Sequence, residues 1–154
     1  MIDMAHSDTA LGPLAYRDCG AGQPAIVCLH GFCQSSLYWE PILERLGGAR
    51  ARAVAVDLPG FGASADAPGP YTMEGYADRI AALIDALGIP HLVLIGGSMG
   101  GVVAQHFALR HPERLIRLVL VATGARTPDP DGALAKADIL AQRPLSDDDN
   151  PTHR

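Results

Sequence analysis

A serine with glycines two residues before and two after it, Gly96-Gly97-Ser98-Met99-Gly100-Gly101, follows the apolar run His91-Leu92-Val93-Leu94-Ile95 and leads into a stretch with helical spacing. A hydroxyl becomes a nucleophile when it is pushed into the open at the tip of a tight strand-to-helix turn. Such a turn needs residues without a β-carbon on either side of it. Gly96 and Gly100 supply that room, and Gly101 is a further small residue where the helix passes the strand. The predicted chemistry is acyl transfer to Ser98 followed by hydrolysis with water.

Attack on a carbonyl builds negative charge on its oxygen, so two hydrogen-bond donors must wait beside the nucleophile. His30-Gly31-Phe32 leaves the end of an apolar run, and Gly31 lets the backbone bend so that the Phe32 amide turns into the site. Met99, the residue after the nucleophile, offers the second amide at the positive end of a helix. Asp57-Leu58-Pro59-Gly60-Phe61-Gly62-Ala63-Ser64 is rich in turn residues, and its expected part is to brace the site rather than to react.

The elements that position these residues are short apolar runs alternating with helix-period segments, the pattern of a mainly parallel sheet with helices on both faces. Strands are predicted over Ala25 to His30, Ala51 to Asp57, Leu92 to Ile95 and Leu115 to Ala122, with an earlier antiparallel strand over Leu14 to Asp18 before the Gly20-Ala21-Gly22 turn. Thr72 is the expected N-cap of a helix with Tyr76, Ile80, Leu83, Ile84 and Leu87 on one face, and Gly88 ends it. A second helix follows Ser98, packs through Val102, Val103, Phe107 and Leu109, and stops at His111-Pro112. Two segments are expected: a core over 1–124, and over 125–154 the start of a lid, with one short helix over Ala133 to Gln142 and a loose polar tail.

With 154 residues and 48% hydrophobic content the chain is one domain's worth and can build a core. A net charge of −5 excludes a basic nucleic-acid or anionic-membrane surface, so the expected partner is a small-molecule substrate. The start has no signal-peptide pattern and no apolar run is long enough for a membrane span. Cys19, Cys28 and Cys33 are odd in number and fit no metal spacing, which predicts a reduced cytoplasmic protein, and the acyl-transfer chemistry at Ser98 implies no metal or organic cofactor. Cys28 and Cys33 are expected to be small buried hydrophobes, and Trp39, Phe61 and Tyr71 to be core residues or the lining of an acyl pocket.

The three motifs, in this order and spacing over roughly residues 12 to 125, resemble the α/β-hydrolase fold enzymes. The resemblance implies that Ser98 is the nucleophile and that the Phe32 and Met99 amides are the oxyanion donors, with His30, Gly31, Gly96 and Gly100 shaping the site. A serine at this position resembles the esterase, lactonase, carbon-carbon hydrolase and cofactor-free haloperoxidase branches; the dehalogenase and epoxide hydrolase branches carry aspartate there. In this family the acid and the histidine follow the nucleophile in the chain. The resemblance makes Leu115 to Ala122 the sixth strand of eight, so acid and base are expected to be absent from this chain, and the sheet to be truncated after that strand. Family members that place the acid after the sixth strand leave Asp129 as the candidate within it.

The other histidines do not replace the base. His30 is expected to be a structural hydrogen-bonding residue, His106 to face away from the turn, His91 and His111 to sit at element ends, and His6 and His153 to lie in mobile segments. Asp147-Asp148-Asp149 reads as a solvated charge run. Two further readings compete. One is a non-catalytic binding module on the same fold. The other, a dinucleotide-binding domain, fails where a Gly-Xaa-Gly-Xaa-Xaa-Gly reading from Gly96 needs glycine and finds Ser98. A sheet ending at Leu115 to Ala122 leaves Leu118 to Val121 as an apolar edge, and self-association through it is expected.

Overall fold

A five-residue run such as Arg52-Ala53-Val54-Ala55-Val56, polar only at its first position, can be stable only where both faces of a strand are covered. The computed structural model, which describes residues 1–48 and 50–124, places it there. Asp129, Asp147 to Asp149, His153, the expected helix over Ala133 to Gln142 and the whole segment 125–154 lie outside the described residues.

Six strands are described: β1 (Asp3–Thr9), β2 (Gly12–Cys19), β3 (Ala25–Leu29), β4 (Arg52–Val56), β5 (Leu92–Gly97) and β6 (Leu115–Val121). They form one sheet in the order β1-β2-β4-β3-β5-β6. β4, β3, β5 and β6 run parallel, and the β1-β2 hairpin adds to β4 antiparallel. Helix α1 (Glu40–Leu46) covers one face, and α2 (Met73–Ala86) and α3 (Met99–Arg110) cover the other. The period-2 alternation of a strand divides the side chains between them. Val27, Leu29, Val54 and Val56 join Ile80, Ile84, Val103 and Phe107 in the larger cluster, and Cys28, Ala53 and Ala55 meet Trp39 and Leu43 in the smaller one.

The helix signals act as the sequence predicts. Thr72 Oγ1 accepts from the Gly75 amide at 3.0 Å at the start of α2, and Tyr76, Ile80, Leu83 and Ile84 are buried. Gly88 leaves the helix at φ 65°. In α3 the packing face is finer-grained than expected: Val103 and Phe107 are buried with Gly100, Gly101, Ala104 and Ala108, while Val102 and Leu109 are only half-buried. Small residues let this helix lie close to the sheet.

Three further differences have physical causes. Residues 3–9 form β1, so His6 sits in a strand opposite Ala15, because a polar edge strand carries no hydrophobic periodicity to announce it. Helix α1, only seven residues long and led by a 3-10 turn over Ser36–Trp39, is too short to show a period. Cys33 is exposed, not buried, and has φ 58° because it occupies a tight turn. Among the described residues no helix is long and apolar enough to cross a membrane.

Candidate functional site

The parallel strands end along one border of the sheet, and the chain leaves β3 through His30, β4 through Asp57 and β5 through Ser98 at that border. Open α/β sheets offer their ligand crevice at the carboxyl ends of the strands.

Ser98 joins β5 to α3 with φ 50° and ψ −117°, a conformation that costs a non-glycine residue on the order of 1–3 kcal/mol. Its main chain is held on both sides. The amide donates to Val121 O at 3.0 Å, and the carbonyl accepts from Gly101 N at 2.9 Å and from Thr123 Oγ1 at 2.7 Å. The side chain is exposed, and among the described residues Ser98 Oγ has no hydrogen-bond partner. The flanking glycines are required by close approach. A β-carbon on Gly100 would stand 2.6 Å from His30 O and closer still to Leu29 O; one on Gly96 would meet Gly101 Cα at 2.6 Å and press on Gly100 O. Gly97 differs, since a β-carbon there would make only an ordinary 3.5 Å contact with Trp39.

The loop after β3 lies against this turn. A β-carbon on Gly31 would be 3.2 Å from Ser98 Cβ. Gln34 N donates to Gly31 O at 3.2 Å, and Gln34 Oε1 accepts from Gly31 N at 2.8 Å. With an i to i+3 bond and positive φ at Cys33 in the third position, residues 31–34 form a type II turn. Among the described residues neither the Phe32 nor the Met99 amide has an acceptor.

His30 is fully buried beneath this loop. Nε2 lies 3.1 Å from Leu58 N, which can only donate, so Nε2 carries the lone pair and Nδ1 the proton. Nδ1 accordingly donates to Gly31 O at 2.8 Å. Burial lowers the pKa of His30 below the ordinary 6.5, against a smaller opposing pull from the Gly31 carbonyl and from Asp57. With both nitrogens engaged, His30 braces the loop and has no lone pair to offer Ser98. The buried Asp57 carboxylate accepts from Ser36 N at 2.5 Å and Ala63 N at 2.8 Å, tying the loop after β3 to the loop after β4. Phe61 packs edge-on against His30 at 5.4 Å and against the exposed Phe32 ring at 5.8 Å.

Ser98, Met99, Gly31, Gly96, Gly100 and His30 are thus gathered at one border, with Phe32 beside them. The other described histidines are elsewhere. His91 precedes the far end of β5, His106 faces Glu74 on α2 at 3.6 Å, and the His111 ring rests on Phe107 at 5.1 Å. Trp39 is core and Tyr71 is exposed. Gln34 and Thr123 touch the site, and no sequence motif names either, because a lone polar residue in a loop carries no pattern.

A family model described as alpha/beta hydrolase fold matches residues 24–147. Over 134 residues the chain is 34% identical to bifunctional epoxide hydrolase 2 of Mus musculus, covering 84% of this chain and 24% of that one. Over 114 residues it is 38% identical to the pimeloyl-[acyl-carrier protein] methyl ester esterase of Pseudoalteromonas atlantica, covering 73% of this chain and 42% of the relative. The structure of a thermophilic esterase from Thermogutta terrifontis superimposes with a TM-score of 0.71 at 36% identity, over 83% of this chain and 48% of that one. The chain therefore spans less than half the length of each of these relatives. A match that takes in the loop of Gly31, the loop of Asp57 and the turn of Ser98 in one register leaves one conclusion: the chain belongs to the alpha/beta hydrolase fold family.

Proposed function

We propose that this protein hydrolyses ester-type acyl bonds, with Ser98 as nucleophile and the amides of Phe32 and Met99 as oxyanion donors. The observation that carries this reading is the turn at Ser98: a strained, exposed serine whose backbone is fully bonded and whose hydroxyl is free, with two acceptorless amides beside it. Ser98 Oγ attacks the substrate carbonyl, its proton passes to a base, and the oxygen that gains charge is held by the two amides. The alcohol leaves, and water then releases the acid. A serine in the turn favours an ester or lactone over the epoxide named for the murine relative, since an alkyl-enzyme intermediate calls for a carboxylate nucleophile.

No histidine among the described residues bonds Ser98, so the 154-residue chain by itself is expected to turn over slowly. In a comparable triad, loss of the base costs on the order of a millionfold. The test is hydrolysis of p-nitrophenyl acetate and butyrate by the chain and its Ser98→Ala variant, with styrene oxide as the competing substrate. A weak ester rate that disappears in the variant supports the reading. A rate unchanged by Ser98→Ala, or a preference for the epoxide, overturns it.

The same missing contact favours a second reading, a binding module that uses this fold without catalysis. It would bind an ester analogue such as a phosphonate reversibly, whereas a nucleophilic Ser98 would be covalently labelled. As partners we place a small-molecule substrate at Ser98 and a second copy of the chain along β6, and the three free cysteines favour a reducing compartment such as the cytoplasm.

A further inference from the structure

The peptide joining Gly31 to Phe32 is a rigid plane in which the carbonyl and the amide hydrogen point in opposite directions. Whatever fixes the Gly31 carbonyl therefore fixes the direction of the Phe32 N–H. That carbonyl accepts two hydrogen bonds, from His30 Nδ1 at 2.8 Å and from Gln34 N at 3.2 Å. The preceding plane is held as well, because Gly31 N–H donates to Gln34 Oε1 at 2.8 Å.

We infer that Gln34 is the positioning residue that aims the Phe32 amide at the developing oxyanion, acting through Gly31 while the buried His30 donates to the carbonyl of the same peptide. The inference rests on the hydrolase reading above for its catalytic meaning, and on geometry alone for the clamp. Gln34 closes a ring upon Gly31, its backbone donating to the carbonyl and its side chain accepting from the amide. The side chain is exposed, so it is not needed to fill the core. Gly31 fits the same scheme: a β-carbon there would come within 2.9 Å of Gln34 Oε1 and force the clamp open.

The test compares the 154-residue chain with Gln34→Ala, Gln34→Glu and Ser98→Ala by amide hydrogen exchange and proton-nitrogen correlation spectra, together with ester hydrolysis. In Gln34→Ala the Gly31 amide should exchange about tenfold faster, the scale of one lost hydrogen bond, and the Phe32 signal should shift or broaden while the core signals stay in place. Gln34→Glu keeps an acceptor at the same position and should restore the Gly31 protection. Where turnover is measurable, kcat should fall between about tenfold and a hundredfold in Gln34→Ala with KM unchanged, a partial loss of one oxyanion donor. Gly31 and Phe32 signals that do not respond to Gln34→Ala would overturn the inference, whatever the rate. Ser98→Ala reports separately on the hydrolase reading, because it should leave both signals in place and remove only the rate.

Discussion

Replacing Gly100 by alanine tests the geometry of the turn where it is least forgiving. The added carbon would lie 2.6 Å from His30 O and nearer to Leu29 O, and both atoms belong to the backbone of β3 and its exit. Neither can rotate away, so α3 as a whole must lift from the sheet, taking Val103 and Phe107 partly out of the core. Overpacking of this kind costs about 1–3 kcal/mol, and two backbone atoms in the way place this case near the upper end. With a urea dependence of about 2 kcal/mol per molar for a domain of this size, the unfolding midpoint should drop by roughly 1.5 M. Gly97→Ala is the matched control. It adds the same carbon one residue before Ser98, at 3.5 Å from Trp39, and should move the midpoint by less than about 0.3 M. The only tryptophan, Trp39, is buried in the smaller cluster, so its fluorescence follows unfolding without competing signals. Equal midpoints for the two variants would show that α3 does not approach β3 as closely as described.

The pH dependence of stability should carry the mark of His30. Its folded pKa lies below 6.5 because burial disfavours the charged ring, so the unfolded chain takes up the proton first. Its contribution is therefore intact above 6.5 and is lost as pH falls from 6.5 towards the folded value, by at most about 1.4 kcal/mol per pH unit. Urea midpoints at pH 8 and 5.5 should separate more for the wild type than for His30→Gln, and equal separations would remove His30 as the cause. Thiol titration should find one reactive cysteine of three in the native chain, the exposed Cys33, because burial encloses Cys19 and pushes the Cys28 thiol up to about 12. Two or three fast thiols before denaturation would contradict that burial. Along β6, Ile116, Val119, Leu120 and Val121 are 51, 39, 41 and 39% exposed, and among the described residues the outer edge of this strand is unpaired. The chain should therefore self-associate, and Val119→Lys with Leu120→Lys should shift it towards monomer in light scattering; a wild-type chain that already disperses as a monomer refutes the edge as a docking surface.

What could be read from the sequence depended on whether a physical constraint left a local trace. The buried strands did so because both of their faces need apolar residues, as in the run Ala53 to Val56, and α2 did so because Thr72, Gly88 and the row from Tyr76 to Ile84 each mark a separate requirement of one helix. The turn at Ser98 left the strongest trace, since Gly96 and Gly100 are demanded by backbone contacts that admit no other residue. Where the constraint is tertiary, the trace vanishes. β1 is a polar strand that becomes one only by pairing with β2, and Cys33 looks like a small core residue until the turn that lifts it to the surface is known.

Gln34 is the sharper instance, because its partner sits only three residues away and was still invisible. Many residues would serve an exposed loop position, and nothing in the residue type says that its amide oxygen reaches back to Gly31. The motif His30-Gly31-Phe32 points to the proposed donor at Phe32 but not to what would aim it. A donor that swings freely stabilises charge no better than water does, because its reorientation must be repeated at each turnover. In the proposed mechanism the aim comes from a buried histidine whose tautomer is set by Leu58 and from a glutamine outside the motif, and these are contacts rather than a pattern.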